Sequence, residues 1–587
     1  MIATRTFDYL DILKTQFPKD DIFAQSINGN WKKCSVDEYV EASWNVASAL
    51  LAKGYKPEDK VVVVCNNRTE WNFLDMGCTL SRLIMVPVYQ TLGLDEFLHV
   101  FNHCDSRLIV LGNRFLYEKL SPVIAKMDHE VEVMTIDKYN DVFSFEDLIE
   151  LGKKNRHIYD SVIEKNIKEV SPDDVATIIY TSGTTGLSKG VMLTHRNLTF
   201  DSYSHAKRQT EGPQHKMLSF LPLCHAYERT MNYEFQQLGI STYYAENLST
   251  VQRDIASIHG DGFCAVPRVL EMMYSKFENA GKNLTGIKKI IYKRALRFAN
   301  NYDNSNDNFL YKFVHGLFDK LVYSKWRDAF GGHEMWVVTG GAAINPNIIR
   351  LFTAAKLHIY QGYGMTETSP VISVNSPANN VLGTNGEPID DAELKFAEDG
   401  EILVRGQHVM KGYYKDEKAT REIIDSEGWL HTGDIGYLQD GKYLMITDRK
   451  KEIFKLSSGK YIAPQVIENK FRGSSYISNC IVFGENESYA SAIILPDMEE
   501  IRHWCKKNNI DTEVDNIELL KNRKVTELLN KEVSAINKNL SDYERIKKCF
   551  FSADSWTVEN GLLSQTLKHK RKNILAKYKS FIKEAYN

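Results

Sequence analysis

The stretch YTSGTTGLSKGV, Tyr180 to Val191, decides how this chain folds. It grows out of VATIIY, Val175 to Tyr180, a short apolar run of the kind that forms a buried strand. It then sets Thr181, Ser182, Thr184 and Thr185 among Gly183, Gly186 and Gly190, with Lys189 close behind. Glycine lets backbone N–H groups come near phosphate oxygens, the hydroxyls add donors, and the lysine brings a mobile positive charge. The string is a phosphate cradle at the end of a strand. It is not the Gly-x4-Gly-Lys-Ser/Thr loop, because Lys189 does not directly follow a glycine.

Runs of the same kind recur outward from it: KVVVVC (Lys60 to Cys65), RLIVLG (Arg107 to Gly112), MWVVTG (Met335 to Gly340) and LHIYQG (Leu357 to Gly362). They alternate with helix-period segments, which predicts an α/β fold with mostly parallel sheets. Several of them end in glycine-rich loops, and ligands of open α/β sheets sit beyond the carboxyl ends of the strands. Lys276 to Trp326 reads as a helical insertion broken by the polar loop Asn301 to Asn308. Asp391 to Gly406 reads as a small β layer turning at Asp399-Gly400.

The charge-dense run DRKKEIFKLSSGKYI, Asp448 to Ile462, reads as an exposed joint. The expectation is a large N-terminal domain, 1–448, of mostly parallel sheets flanked by helices plus a small β layer. A small mobile α+β C-terminal domain, 449–587, follows. In it, CIVFG and SAIILPD read as strands and Glu518 to Leu540 as one amphipathic helix, with Leu528, Leu529, Val533, Ile536 and Leu540 on one stripe.

Composition sets the bounds. With 587 residues, 43% hydrophobic and 11% aromatic, the chain buries enough apolar surface for at least two domains, which excludes a disordered, collagenous or disulfide-scaffold protein. Nine scattered cysteines without a C-x-x-C pair fit a reducing cytoplasm, and the N-terminus lacks the layout of a signal peptide. No apolar stretch approaches the ~18 residues of a membrane span, so membrane contact is expected to be transient and peripheral, at the inner face of a membrane. The sequence shows no strong basic amphipathic anchor. A net charge of -3 argues against nucleic acid as a partner. From Arg449 onward, however, 25 Lys and Arg face 18 Asp and Glu, which leaves -10 for the residues before it. Two readings of the basic quarter stand: a solvated helical face, or a cationic surface that closes over a polyphosphate.

With the phosphate cradle come LPLCHAYER (Leu221 to Arg229), VTGGAAINP (Val338 to Pro346), YQGYGMTETSP (Tyr360 to Pro370), WLHTGDIG (Trp429 to Gly436), DRKKEIFK (Asp448 to Lys455) and TLKHKR (Thr566 to Arg571). In that order, across most of the chain, they resemble the signatures of the adenylate-forming superfamily of acyl-CoA synthetases. LPLCHAYER and AVPRVLEMMYSKFE (Ala265 to Glu278) resemble its long-chain fatty acyl-CoA synthetase branch.

The resemblance implies roles residue by residue. Thr184 and Glu367 would hold Mg2+, a cation that takes hard oxygen donors and keeps phosphate in its shell. Gln361, Gly362, Tyr363, Gly364 and Thr366 would frame adenine and the α-phosphate, with Tyr363 as a stacking face. Gly341 and Ala342 would let the purine lie on backbone, although tight packing alone also accounts for small residues there. Asp434 would accept the ribose hydroxyls, joined by Arg449 from the joint. His225 stands between an acyl-side role and an ordinary structural one. Where some long-chain members carry a Trp gate just after that histidine, this chain has Tyr227-Glu228-Arg229. Lys568, preceded by Leu567 where the common superfamily ending has glycine, would be the catalytic cation. Lys455, Ser458, Gly459 and Lys460 would face nucleotide or CoA phosphates, with plain linker as the rival. The C-terminal domain would rotate about Asp448 to Lys451 between the two half-reactions.

The activity implied is a long-chain fatty acid:CoA ligase that uses ATP, Mg2+ and coenzyme A. Two alternatives remain: an acyl-AMP ligase that loads a carrier protein, and a non-catalytic acyl- or nucleotide-binding regulator. Chain length and oligomeric state are not legible in the sequence.

Overall fold

The computed structural model describes residues 2–181, 188–282, 284–342, 344–564 and 568–586. The strand Lys60–Val64 explains why the apolar runs become sheet. Val61 and Val63 sit in one hydrophobic cluster and Val62 and Val64 in another, all four fully buried, so the strand is covered on both faces. It pairs in parallel with Ile84–Pro87 and Ser106–Leu111. The seven-stranded sheet around it runs Gly412–Tyr413, Lys189–Thr194, Val175–Thr181, Ile84–Pro87, Lys60–Val64, Ser106–Leu111, Glu132–Thr135. Only its first two strands are antiparallel to their neighbours: Lys189–Thr194 returns as a hairpin from Val175–Thr181, and Gly412–Tyr413 closes the edge.

A nine-stranded sheet carries Met335–Thr339 and Leu357–Gly364 side by side in parallel. It finishes in the antiparallel strands Val371–Val374 and Glu387–Pro388. Helices Asp8–Gln16, Val36–Ala52, Thr69–Leu80 and Ala226–Leu238 contribute to the larger core, while Leu94–His103 and Arg114–Ile124 cover the other face of the seven-stranded sheet. Both sheets belong to a first compact unit of Met1–Gly341, Asn347–Leu394 and Val404–His431. The expected α/β architecture is what the chain adopts.

The insertion is helical as expected: Pro267–Lys282, Gly286–Asn300 and Phe309–Phe318. Its polar loop ends at Asn308, whose side chain caps the last of these by accepting from the Leu310 and Tyr311 amides.

The second unit comprises Ala342–Pro346, Lys395–Leu403 and Thr432–Asn587. Within it the strands Leu430–Gln439 and Tyr443–Arg449 form one hairpin that sets Asp434 opposite Arg449. The turn at Asp399-Gly400 forms as expected, with Gly400 at φ +82°. Ile477–Phe483 and Ser491–Pro496 pair antiparallel, and Lys548–Phe551 joins the latter in parallel. The single helix expected over Glu518 to Leu540 is two, Asn516–Lys521 and Arg523–Asn537. Asn522 breaks it: its backbone is extended and its side chain caps the second helix at the Lys524 amide, a competition that Asn wins readily. Leu529 and Val533 of the expected stripe are buried, in two different clusters, and Leu540 is buried beyond the helix end.

Candidate active site

In the first unit a chain of contacts links the cradle to the Thr-Glu-Thr turn. Thr181 ends its strand half-buried and pairs with Lys189 across the hairpin. Ser182, Gly183, Thr184, Thr185 and Gly186 lie outside the described residues. Lys189 extends its ammonium to 4.9 Å from the centre of the Tyr413 ring and 4.0 Å from the Asp416 carboxylate. Tyr413 in turn donates its hydroxyl to Glu367 Oε1 at 2.7 Å. Burial, and then the carboxylate beside it, push the Tyr413 phenol well above its ordinary range, so it stays a donor. Backbone bonds fix the arrangement: Met410 N donates to Glu367 O at 2.8 Å and Tyr414 N to Gly190 O at 2.7 Å. Tyr413 was not among the residues singled out from sequence. Its two-residue edge strand is too short to carry a period, and only the Gly-Tyr-Tyr string hints at it.

The strand Leu357–Gly364 leads into this turn. Gln361 is buried opposite Thr339, and Gly362, Tyr363 and Gly364 pair with Val374, Ser373 and Val371 through a bulge after Tyr363. A Cβ on Gly364 would fall 1.8 Å from the Pro370 carbonyl oxygen, so no other residue fits there. Thr366 and Glu367 are both buried in the one-turn helix Thr366–Thr368. Gly341 is exposed with φ +81°, a conformation that favours glycine; Ala342, also exposed, is counted with the second unit.

His225 caps the helix Ala226–Leu238, its Nδ1 accepting from the Tyr227 amide at 3.1 Å, and its ring meets that of Tyr89 edge-on at 6.4 Å. Next to it, Glu228 is buried and accepts from Ser219 Oγ at 2.5 Å; burial pushes its carboxyl up to about 8, so it is protonated at neutral pH. Arg229, fully buried, pairs with Asp75 and donates to Thr177 Oγ1 at 2.6 Å and to the Tyr233 hydroxyl at 2.9 Å. Thr177 lies on the strand that feeds the cradle, so this bolt fixes the strand from below.

In the second unit Asp434 and Arg449 face each other across the hairpin, with Arg449 Nε 3.2 Å from Asp434 Oδ1. Asp434 is buried while Arg449 is exposed. Strand register thus sets these two side chains side by side. Lys455 is exposed on a two-residue strand, its ammonium 5.5 Å from the Tyr461 ring, and Ser457 to Lys460 form the exposed turn that follows. Lys568 is half-buried: its amide donates to Ser564 Oγ at 3.0 Å and its carbonyl accepts from the Ser564 amide at 2.7 Å. Arg571, three residues on, pairs with buried Glu468 and donates to Val482 O at 2.7 Å, tying this loop to the sheet.

No group of three or more His, Cys, Asp or Glu side chains able to hold a metal is present among the described residues. Glu367, a buried hard-oxygen donor, fits an ion that takes one protein carboxylate and fills its shell with phosphate and water.

Comparison with known proteins gives the family. Residues 14–414 match the family model for AMP-binding enzymes, and 451–587 that for the AMP-binding enzyme C-terminal domain. The rat protein named long-chain-fatty-acid–CoA ligase 5 is 30% identical over 95% of this chain and 85% of its own length. The Arabidopsis thaliana peroxisomal long chain acyl-CoA synthetase 7 is 32% identical over 92% of this chain and 80% of its own. Among solved structures, the anthranilate CoA ligase AuaEII in complex with anthranoyl-AMP superposes with a TM-score of 0.73 at 16% identity, covering 98% of both chains. Ordered motifs, a cradle strand bolted from below and a match over more than half the length agree: the chain belongs to the AMP-binding enzyme family.

Proposed function

We propose that this chain is a long-chain fatty acid:CoA ligase, AMP-forming. The observation that carries the proposal is the Lys189–Tyr413–Glu367 relay beside the cradle, in a chain whose curated relatives are named for that activity over most of their length. A carboxylate is a poor electrophile, because its charge repels nucleophiles and oxide leaves badly. In the first half-reaction a carboxylate oxygen of the acid bonds to the α-phosphorus of ATP, and the bond from that phosphorus to the bridging oxygen breaks to release pyrophosphate. In the second, the CoA thiolate bonds to the acyl carbon and AMP departs with the electrons of the carbon–oxygen bond.

Each step needs crowded anionic oxygens neutralised and held still. Lys189 and the cradle hydroxyls, Thr181 to Thr185, take the phosphates. Glu367 with Thr184 would hold Mg2+, which when bound would spread the charge of the polyphosphate. Gly341, Ala342 and Gln361 to Gly364 take the adenine side, and Asp434 with Arg449 takes the ribose. His225 stands on the acyl side, where neutral Glu228 adds no charge to repel the acid. Lys568 is the cation of the adenylation step, and Lys455 with its neighbouring turn meets nucleotide or CoA phosphates. The segment Asp448 to Lys451 is the hinge between the two half-reactions, and 449–587 the lid it carries. Among the described residues no helix is long and apolar enough to cross a membrane.

The test follows AMP and thioester over a series of acid chain lengths, with free CoA or with a purified carrier protein as acceptor. Saturated acids of palmitate length with CoA should give both products; thioester only on the carrier protein would replace the ligase with an acyl-AMP transferase. Lys568→Ala should slow adenylation about 100-fold, the ~3 kcal/mol of one preorganised charge contact, and leave thioester formation from supplied acyl-AMP intact. Equal loss of both steps would remove Lys568 from its assigned role.

A further inference from the structure

One helical run wears its apolar side chains outward. Phe309–Phe318 continues through the wider turn Asp319–Tyr323 into Ser324–Asp328. Its inner face is aromatic: Tyr311, His315 and Phe318 pack on Phe298 of the helix Gly286–Asn300. Its outer face is apolar as well. Phe309, Leu310, Phe313, Leu317 and Leu321 recur at spacings that align them in one stripe, and they are between 40% and 85% exposed. Twelve rises of 1.5 Å from Phe309 to Leu321 make the stripe about 18 Å long. A surface helix of a water-soluble domain turns polar side chains to that side, so a continuous apolar stripe marks a contact surface.

Charge identifies what it contacts. At 100° per residue Lys312, paired with Asp307 at 2.7 Å, falls beside the stripe and Lys320 within it, and both are exposed. Gly286–Asn300, the helix packed beneath, carries Lys288, Lys289, Lys293, Arg294 and Arg297 and no acidic residue. Long cationic side chains beside an apolar stripe reach from an acyl layer to its headgroups, and they fit a negatively charged surface. A second copy of this chain would set like charges against each other.

We propose that Phe309–Leu321 is a membrane-docking surface, with its stripe sunk into the interface of an anionic bilayer and the neighbouring lysines and arginines on the headgroups. It rests on the fatty-acid reading above for its purpose: a long-chain acid partitions into bilayers, and a ligase docked there meets it at high local concentration. The sequence gives little sign of this, because the apolar residues of a helix are read as its buried face, whereas here the buried face is a second, aromatic one.

The experiment is flotation of the full chain with vesicles of phosphatidylcholine alone or mixed with phosphatidylglycerol. Phe309→Ser/Phe313→Ser/Leu317→Ser serves as the comparison, since all three side chains are exposed and their loss spares the core. The wild type should float with the mixed vesicles, less with the neutral ones, and the variant should partition ~10-fold less or weaker. The variant should convert palmitate carried on albumin at the wild-type rate and palmitate supplied in anionic vesicles more slowly. Equal flotation of the two proteins, no flotation of the wild type, or a wild-type dimer that the variant dissolves without vesicle binding would each overturn the proposal. Flotation by a protein that activates no acid in either form would keep the surface and remove the ligase.

Discussion

Two buried aspartates, one in each unit, are held in opposite ways. Asp75 has an arginine on one oxygen and the Tyr233 hydroxyl, 2.6 Å away, on the other, and Arg229 spends its remaining donors on Thr177 and Tyr233 while lying 5.2 Å above Trp71. Asp448, in the segment assigned as hinge, only feels the charge of Arg571, whose guanidinium pairs with Glu468 and Glu452. Burial pushes its carboxyl up to about 7, against the pull of the Arg449 amide 2.6 Å away and with Glu452 and Glu468 adding to the rise. The first arrangement locks the strand Val175–Thr181, which leads into the proposed cradle. The second leaves a group poised between two charge states in a segment for which motion is proposed.

The largest expected effect breaks the lock. Arg229→Met leaves Asp75 buried and uncompensated and should cost ~3–5 kcal/mol of stability in denaturant unfolding. Arg229→Met/Asp75→Leu should recover most of it; if the double variant is as unstable as the single, the pair is not the bolt described here.

Next in size is the pH behaviour of Asp448. An unfolded aspartate ionises near pH 4, so between about pH 4 and 7 the folded chain keeps a proton that the unfolded chain has lost. Its contribution to stability is therefore full below that window and is lost as pH rises through it. Asp448→Asn removes the titration. Relative to wild type, the variant should gain ~2–3 kcal/mol on going from pH 5 to pH 8, two pKa units at 1.36 kcal/mol each. A constant difference across that range would mean that Asp448 is ionised throughout.

Between the two extremes stands Glu367, steadied by a single phenol. Tyr413→Phe removes that bond and should cost ~1–2 kcal/mol in kcat/KM for adenylation, roughly 10-fold, with little change in melting temperature. An unchanged kcat/KM would detach Tyr413 from the site.

Much of this was legible in the chain, for definite reasons. Runs such as residues 61–64 and 335–338 are apolar at every position because both faces of their strands are covered. The cradle, the Thr-Glu-Thr turn and the Asp434 and Arg449 motifs declare themselves because glycine, hydroxyl and carboxylate must stand at fixed offsets there. What escaped was set by distance or by competition. Arg229 and Asp75 are 154 residues apart, and nothing local in either points to the other. Tyr413 acts from a strand of two residues. Asn522 breaks a strongly amphipathic pattern through a side-chain cap that periodicity does not register. Asp448 looked like part of an exposed, charge-dense joint, and its burial comes from the hairpin on which it lies.

The central claim, that this chain makes a mixed anhydride of fatty acid and AMP, is tested most directly by isotope exchange. Radiolabelled pyrophosphate incubated with the protein, MgATP and palmitate, without CoA, should enter ATP at a rate that depends on the acid and collapses in Glu367→Gln. Exchange that ignores the acid, or none at all from a folded protein, would contradict it.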